Sequence, residues 1–298
     1  MEEAKKHKSG FANIIGNPNV GKSTLMNALV GEQLSIVTAK SQTTRHRIMG
    51  IVNGDDYQLV YSDTPGILKP DYKLQESMMK FVRTAIGDAD VILYVTDAIE
   101  KGNKHEEYIK RLSILDIPVL LIINKIDLTT TEQLEQLVEQ WKEWLPKAEI
   151  FPVSAKERFN LDNLFKRVLE LTPEGPAYYD KETLTDRNLR FFASEIIREK
   201  VLLYYKKEIP YSAEISIEEF KEDDDMYRIA STIHVARESQ KGIVIGHGGK
   251  ALKWVGTEAR KDMENFFAKK VFLKMFVKVN PDWRNNSREL KNFGYILE

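Results

Sequence analysis

The 298-residue chain contains no cysteine. This absence excludes disulfide bonds, thiol nucleophiles, cysteine-ligated zinc and iron–sulfur clusters. The histidines are few and scattered, and none shows the spacing of a zinc site, so structural zinc is not expected. They are His7, His46, His105, His234 and His247.

The sequence also lacks any apolar run near the roughly 18–20 residues that a membrane-spanning helix requires. Its first residues, MEEAKKHKSG, are charged and contain no apolar core of the kind found in secretory signals. Together these absences predict a soluble, intracellular protein. Composition alone does not separate an enzyme from a binding protein.

A large net charge of either sign is absent too, because the chain has 44 Lys and Arg against 45 Asp and Glu, which gives a formal charge of -1. Taken over the whole chain, this balance gives no sign of a nucleic-acid partner. The charges are nevertheless unevenly distributed: the segment from Arg237 to the end carries 13 basic and 7 acidic residues. The near-neutral total therefore conceals an acidic body and a basic C-terminal lobe.

The first 172 residues alternate short apolar runs with amphipathic ones. This rhythm predicts an α/β fold with a doubly wound, mostly parallel sheet. The predicted strands are Phe11–Ile15, Ile48–Val52, Tyr57–Tyr61, Val91–Thr96, Pro118–Ile123 and Ile150–Val153. The predicted helices are Ser23–Leu29, Leu74–Ile86, Lys104–Leu112, Glu132–Trp144 and Leu161–Leu171.

The alternation of strands and helices ends at Thr172. The segment TPEGPAYYDKETLTD that begins there contains two prolines and a glycine among polar residues, which indicates a linker. We therefore expect one domain over residues 1–172, a linker over 173–186 and a smaller α+β domain over 187–298. The pattern of the second domain predicts the order α–β–β–α–α–β and a short tail. Its expected elements are a helix Asp186–Tyr205 capped by Asp186, strands Ser212–Glu219 and Tyr227–Val235, helices ending near Ile245 and Phe266, and a strand Lys270–Val279.

A glycine-rich segment, GNPNVGKS, lies between the first predicted strand and helix and fits the pattern GxxxxGK[ST]. Glycines let the backbone turn so that its N–H groups face phosphate oxygens, and the helix N-terminus adds a favourable dipole. Lys22 is expected to reach the outer phosphates and Ser23 to ligate magnesium. The predicted phosphate-binding residues are Gly16, Asn17, Pro18, Asn19, Val20, Gly21, Lys22, Ser23 and Thr24.

The segment NKID follows the strand Pro118–Ile123 and is expected to select the base. The Asp127 carboxylate can accept both the ring N–H and the amino group of guanine. Adenine would leave it unpaired at a cost of about 1–3 kcal/mol, which argues against an ATP-dependent kinase. Asn124 is expected on the other base edge and Lys125 over the ring. Backbone N–H groups of Ser154, Ala155 and Lys156 are expected near guanine O6.

A third segment, Asp63-Thr64-Pro65-Gly66, ends the strand Tyr57–Tyr61. Its carboxylate can hold magnesium through water, and the Gly66 N–H can touch a γ-phosphate. That contact exists only in the triphosphate state, so it can order the following segment and release it on hydrolysis. Thr44, within the polar stretch Gln33–Arg47, is expected to complete the magnesium shell.

The motifs GNPNVGKS, QTTR, DTPG, NKID and SAK, in this order, resemble the five nucleotide-binding motifs of translation-factor-type GTPases. GHGG within VIGHGGK resembles the GxxG loop of a KH domain of bacterial-type topology. A P-loop GTPase domain followed by one KH domain and VKVNPDWR resembles the Era family of ribosome-associated GTPases, over about residues 10–298.

This resemblance implies slow hydrolysis of GTP to GDP with magnesium. It also implies that the KH domain binds the 3′ end of small-subunit ribosomal RNA and acts in maturation of the small ribosomal subunit. A cytoplasmic location is implied, with peripheral association at the inner membrane in some members. The alternative is an RNA-binding scaffold or chaperone in which bound guanine nucleotide is structural and turnover negligible.

A GxxG loop clamps about four nucleotides of single-stranded RNA. The expected RNA-binding residues are Lys241, Gly246, His247, Gly248, Gly249, Lys250 and Lys253, with Arg260 and Lys261 nearby. Several residues stay ambiguous. Ile243, Val244 and Ile245 belong to the core or contact bases, and Trp283 stacks on a base or packs in the tail. Lys269, Lys270, Lys274 and Lys278 form the solvated face of a strand or contact RNA.

Many GTPases orient the attacking water with a glutamine just after the glycine of DTPG, but this chain has Ile67 there. No side-chain base is therefore expected at that position. Compensation could come from potassium held by Asn19, from a group supplied by the ribosomal particle, or from Arg45. The catalytic candidates are Asn19, Lys22, Thr44 and Gly66.

Overall fold

The computed structural model describes residues 6–100 and 106–295, which form two compact units. The first comprises Met1–Ser35, Thr44–Lys69 and Met78–Asp186, and the second comprises Ile36–Thr43, Pro70–Ser77 and Arg187–Glu298. The division into a domain over residues 1–172, a linker over 173–186 and a domain over 187–298 stays a prediction. Within the described residues, no helix is long and apolar enough to cross a membrane.

The first unit contains a six-stranded sheet. Its neighbouring strands pair in parallel except for the first hairpin, where β2 and β3 are antiparallel. Strands buried on both faces read as near-continuous apolar runs, and this is why their positions follow from the sequence. The strands are β1 Lys8–Gly16, β2 Ile48–Asn53, β3 Tyr57–Asp63, β4 Val91–Asp97, β5 Val119–Asn124 and β6 Glu149–Pro152, in the order β2-β3-β1-β4-β5-β6.

Helices connect these strands and confirm the predicted α/β fold. Thr130 starts one of them with a capping box, since its side chain accepts from Gln133 N and the Gln133 side chain accepts from Thr130 N. The helices are α1 Lys22–Val30, α2 Lys73–Gly87, α3 Glu106–Ser113, α4 Thr131–Trp144 and α5 Leu161–Leu171, with a 3-10 turn at Ile126–Leu128. The predicted start of α3 at Lys104 lies outside the described residues.

The second unit contains a three-stranded sheet, and its longer elements follow the predicted α–β–β–α–α–β order, with two further short helices. The sheet order is β7-β8-β9, antiparallel between β7 and β8 and parallel between β8 and β9. The elements are α6 Leu189–Tyr204, α7 Ile209–Ser212, β7 Glu214–Glu222, β8 Met226–Val235, α8 Glu238–Ile245, α9 Lys250–Phe267, β9 Lys270–Val279 and α10 Ser287–Asn292. Val201, Ile229, Val255 and Met263 are among its buried core residues.

The prediction that Asp186 caps the long helix is wrong. Helix α6 begins at Leu189, and the Asn188 side chain caps it by accepting from Phe191 N at 3.0 Å. Asp186 instead accepts from Met49 N at 2.9 Å. Two residues of similar capping ability lie two positions apart, and a distant hydrogen bond decides which of them caps the helix.

The next strand also begins later than predicted, at Glu214 rather than Ser212. The residues before it form the one-turn helix α7, in which Pro210 occupies the first turn. Proline suits this position because a first-turn residue has no intrahelical partner for its N–H.

The C-terminal tail is folded rather than irregular. Trp283, in a 3-10 turn Trp283–Asn285, is fully buried, and its Nε1 donates to Ser212 O at 3.0 Å. The Phe293 ring lies edge-on to it with centroids 5.7 Å apart. Of the two roles open for Trp283, the structure therefore shows packing in the tail.

We expect Trp283→Phe to lower the free energy of unfolding by about 1–3 kcal/mol, because the Ser212 carbonyl loses a buried donor. Trp254→Phe is the matched control, since Trp254 is 42% exposed and surface substitutions usually change stability by less than about 0.5 kcal/mol. Urea denaturation followed by circular dichroism measures both. Equal effects of the two substitutions would contradict the buried hydrogen bond.

Candidate functional site

The phosphate loop connects β1 to α1 and turns through two glycines with positive φ. Gly16 has φ 151° and Gly21 has φ 91°. A Cβ at Gly16 would lie 2.1 Å from Val95 O, and one at Gly21 would lie 2.3 Å from Asn124 Nδ2. Both the backbone conformation and the lack of space therefore require glycine at these positions.

Lys22 is the buried cation of this loop. Its Nζ donates to Asn17 O at 2.7 Å, and only 6% of the residue is exposed. Burial lowers the pKa of Lys22 to about 8, although the nearby carboxylates of Asp63 and Glu100 oppose this shift. A phosphate group bound to the loop would supply the negative charge that favours the ammonium form.

The three predicted magnesium ligands lie together. Ser23 Oγ donates to Asp63 Oδ2 at 2.6 Å and lies 2.9 Å from Thr44 Oγ1, while Thr44 Oγ1 donates to the same carboxylate oxygen at 3.1 Å. Asp63 is fully buried, and burial raises its pKa despite these bonds.

This cluster fits magnesium. Asp63 Oδ1 is buried and has no hydrogen-bond partner among the described residues. Magnesium prefers hard oxygen ligands, uses one or two carboxylates and completes its shell with substrate phosphates and water. One carboxylate and two hydroxyls match that requirement, whereas no group of three or more acidic, His or Cys side chains that could hold a metal ion by itself occurs in residues 6–100 and 106–295.

The DTPG segment lies against the phosphate loop. Thr64 Oγ1 donates to Ile14 O at 2.7 Å, and a Cβ at Gly66 would come within 2.7 Å of the Pro18 ring. Pro65 separates these two anchored residues. Ile67 N donates to Gly16 O at 3.0 Å, and the Ile67 side chain is fully buried. The side chain that replaces a water-orienting glutamine therefore packs in the core.

Asn124 joins three loops through one buried amide. Its Nδ2 donates to Val20 O of the phosphate loop at 2.9 Å, and its Oδ1 accepts from Ala155 N at 3.0 Å. Asn124 therefore aligns the phosphate loop with the two segments expected to hold the base. A direct bond from Asn124 to the base stays a prediction.

Asp127, the expected guanine reader, is oriented by Ser154, whose Oγ donates to Asp127 Oδ1 at 2.6 Å. Lys125 has φ 60° and donates through Nζ to Asn19 O and to Asp97 Oδ2, each at 2.6 Å. These bonds hold the aliphatic stem of Lys125 beside the phosphate loop.

The sequence interpretation missed two acidic residues. Asp97 pairs with Lys125, and Glu100 Oε1 accepts from Asn17 Nδ2 at 2.7 Å. A signal for Asp97 existed, because it ends β4 directly opposite Asn124 of β5, at the edge where parallel strands gather ligand-binding loops. Thr24 lies in the first turn of α1, and the Lys156 side chain is exposed with Glu157 3.3 Å away.

In the second unit, the GHGG loop separates α8 from α9. Gly246, Gly248 and Gly249 have φ of 72°, 57° and 76°, and a Cβ at Gly246 would lie 2.7 Å from Ala251 Cβ. His247 is exposed. The loop therefore offers its backbone and one imidazole to a ligand that approaches closely.

The cations around this loop fall into two groups. Arg260 and Lys261 form ion pairs with glutamates of their own helix, at 3.1 and 2.7 Å. The ammonium groups of Lys241, Lys250 and Lys253 have no carboxylate within 4.0 Å in the part of the chain that the structure describes. These three are the better candidates for phosphate contacts.

The three apolar residues before the loop differ in how exposed their side chains are. Val244 is fully buried and belongs to the core, whereas Ile243 is 51% exposed. Ile245 is intermediate. Of the three, Ile243 has the side chain most accessible to a base.

Two family models match the chain: one described as 50S ribosome-binding GTPase over residues 11–125, and one described as KH domain over residues 208–284. GTPase Era of Staphylococcus epidermidis and of Staphylococcus haemolyticus are each 42% identical over 293 residues, which cover 98% of this chain and 98% of each relative.

Two solved structures of Era proteins are similar over nearly the full length, each with a TM-score of 0.93 and 38% identity. One is Era in complex with MgGDPNP and nucleotides 1506–1542 of 16S ribosomal RNA, covering 98% of this chain and 100% of the other. The second is a variant of Aquifex aeolicus Era bound to GDP·AlF4−, covering 97% and 100%.

The lowered pKa of Lys22 predicts a pH-dependent affinity for nucleotide. The ammonium form loses its proton near pH 8, so between pH 7 and pH 9 the Kd for GDP should rise about tenfold. Isothermal titration at both pH values measures this change. Lys22→Ala should bind weakly at both, without the rise, and a pH-independent Kd for the unsubstituted protein would contradict the assigned role.

Proposed function

The chain belongs to the Era family of GTPases, and from this membership we propose that it is a slow GTP-hydrolysing switch that binds the 3′ end of small-subunit ribosomal RNA. Its proposed role is in assembly and maturation of the small ribosomal subunit. We expect the protein to perform this role in the cytoplasm. We also expect peripheral association with the inner membrane.

The main support for the nucleotide site is that Ser23, Thr44 and Asp63 are hydrogen-bonded to one another beside the buried Lys22. We assign the first three to magnesium and Lys22 to the outer phosphates. Magnesium, when bound, neutralises charge on the β- and γ-phosphates. The relative's MgGDPNP complex supports this pairing of metal and triphosphate.

The remaining residues position the nucleotide. Asp127, oriented by Ser154, accepts the guanine N–H groups, and Lys125 lies over the ring. The Gly66 N–H meets the γ-phosphate, so loss of that phosphate frees the DTPG segment and the stretch that contains Thr44. This release is the proposed link between hydrolysis and RNA binding.

Slow turnover follows from Ile67. Its side chain is buried and cannot hydrogen-bond to water, so stabilisation rests on Lys22, the loop N–H groups and the metal. Asn19 is the proposed site of assistance by potassium. Its residue is exposed on the loop, with φ 65° and its carbonyl held by Lys125.

RNA binding is assigned to the GHGG loop and its unpaired lysines. The positive φ angles let phosphates approach the backbone, and Lys241, Lys250 and Lys253 supply charge. The relative's complex with nucleotides 1506–1542 of 16S ribosomal RNA supports this RNA as the ligand.

Lys22→Ala should weaken GTP binding by about 100-fold, because a buried charge-assisted contact to phosphate is lost. RNA binding in the absence of nucleotide should be retained, since the KH loop is unchanged. Lys156→Ala is the matched control, because that side chain is exposed and its expected contact is through the backbone. Retained GTP affinity in Lys22→Ala would contradict the site.

RNA affinity distinguishes the switch hypothesis from the scaffold hypothesis when it is measured with GDP and with a non-hydrolysable GTP analogue. A switch should show different affinities in the two states. Identical affinities, together with negligible GTP turnover, would favour the scaffold.

GTP hydrolysis should be faster in potassium than in sodium, because Asn19 offers an amide oxygen to the larger cation. Asn19→Ala should remove this difference, whereas Asn19→Asp keeps an oxygen ligand and should retain part of it. Phosphate release in matched chloride salts measures the rates. Equal rates in both salts for the unsubstituted protein would remove potassium from the mechanism.

A further inference from the structure

One face of β9 alternates lysine with phenylalanine. Neighbouring side chains of a strand point to opposite faces, and Val271, Leu273, Met275 and Val277 pack on the core. The other face therefore carries the set that we call the Lys–Phe stripe. It consists of Lys270, Phe272, Lys274, Phe276 and Lys278.

The two aromatic rings of the stripe are exposed. Phe272 is 55% exposed and Phe276 is 47% exposed, although phenylalanine is usually buried. They are four residues apart, so about 13 Å separates them along the strand. Lys274 lies between them, with its Nζ 5.1 Å from the Phe276 ring centroid.

The charge of the stripe is unbalanced. None of its three lysines has a carboxylate within 4.0 Å among the described residues. On the neighbouring strands the cations are paired: Lys221 with Glu219, and Arg228 with Asp223. The stripe is therefore the part of this sheet face where cations remain available to a ligand.

We propose that the Lys–Phe stripe is a second RNA-contact surface, on which single-stranded RNA stacks bases on Phe272 and Phe276 and places phosphates against the lysines. Alternating cations and aromatic rings meet both requirements of sequence-tolerant single-strand binding. Charge complementarity selects the polyanion over a neutral apolar partner. This inference rests on the proposed function.

The length of the RNA supports a second surface. A GxxG loop clamps about four nucleotides, yet the relative's complex contains nucleotides 1506–1542. The stripe belongs to a strand that packs against the loop's helix, because Met275, on the inner face of the same strand, lies against Gly256 of α9, the helix that the GHGG loop begins. The strand thus has the loop's helix on one face and the stripe on the other.

The test compares two probes by fluorescence anisotropy: RNA of nucleotides 1506–1542 of 16S ribosomal RNA, and the segment of about four nucleotides from it that binds best. The full-length variant Phe272→Ala/Phe276→Ala should bind the long probe at least about 30-fold more weakly, from the loss of two stacking contacts. It should bind the short probe, which fills only the GxxG clamp, as tightly as the unsubstituted protein.

The variant Lys270→Ala/Lys274→Ala/Lys278→Ala tests the charges separately. The slope of log Kd against log salt for the long probe should fall by about 2, because each single-strand phosphate contact contributes about 0.7. Lys166→Ala, an exposed lysine of α5, is the control and should leave the slope unchanged.

Phe272→Leu/Phe276→Leu separates stacking from apolar packing. Leucine keeps apolar area but has no ring, so this variant should lose affinity for the long probe as the alanine variant does. Full affinity in the leucine variant would overturn stacking, and would indicate a surface for apolar packing against protein. Circular dichroism of each variant establishes that the sheet has folded.

The outcomes separate the two proposals. If the unsubstituted protein binds both probes and the stripe variants match it, the stripe is not an RNA surface while the proposed function stands. If a folded stripe variant loses both probes equally, the stripe belongs to the GxxG clamp and is not a second surface. If the unsubstituted protein binds neither probe, both proposals fail.

Discussion

Two buried groups of opposite charge, the Asp63 carboxylate and the Lys22 ammonium, set the demands of the phosphate-binding site. Burial raises the pKa of the carboxylate and lowers that of the ammonium, so burial makes the charged form of each group less favourable. A phosphate would compensate only the ammonium, and a metal ion only the carboxylate. A metal–phosphate complex would compensate both, which agrees with the magnesium–nucleotide ligand that we propose for this site.

The sequence allowed the first unit to be predicted almost element by element, because its buried strands are continuous apolar runs and its motifs sit where strands end. Failures arose where a long-range partner decides local structure. Asp186 was predicted to cap the long helix, but its carboxylate accepts a hydrogen bond from Met49 N instead. The fold of the tail likewise depends on the hydrogen bond between Trp283 and Ser212, which lie far apart in the sequence. Asp97 was missed for the same reason, since its role appears only beside Lys125.

Counting basic residues overstates what a surface can offer to RNA. Arg260 and Lys261 belong to the basic C-terminal segment but form ion pairs with neighbouring glutamates. The cations flanking GHGG and those on β9 have no such partners in the described chain. Ion pairs are visible only in the structure, and they divide the cations of the basic lobe into paired ones and lysines available to RNA. The sequence shows only the total number of cations.

Gly21 and Asn124 share one small volume, because the Asn124 amide fills the space that a side chain at position 21 would need. The same amide holds the Val20 carbonyl and the Ala155 N–H. Because Gly21 also has φ 91°, a smaller residue at position 124 would not by itself allow a side chain at position 21. The proposed phosphate-binding and base-reading motifs are therefore one packed unit: transplanting the phosphate loop into another scaffold would also require an amide at the position of Asn124 to hold it.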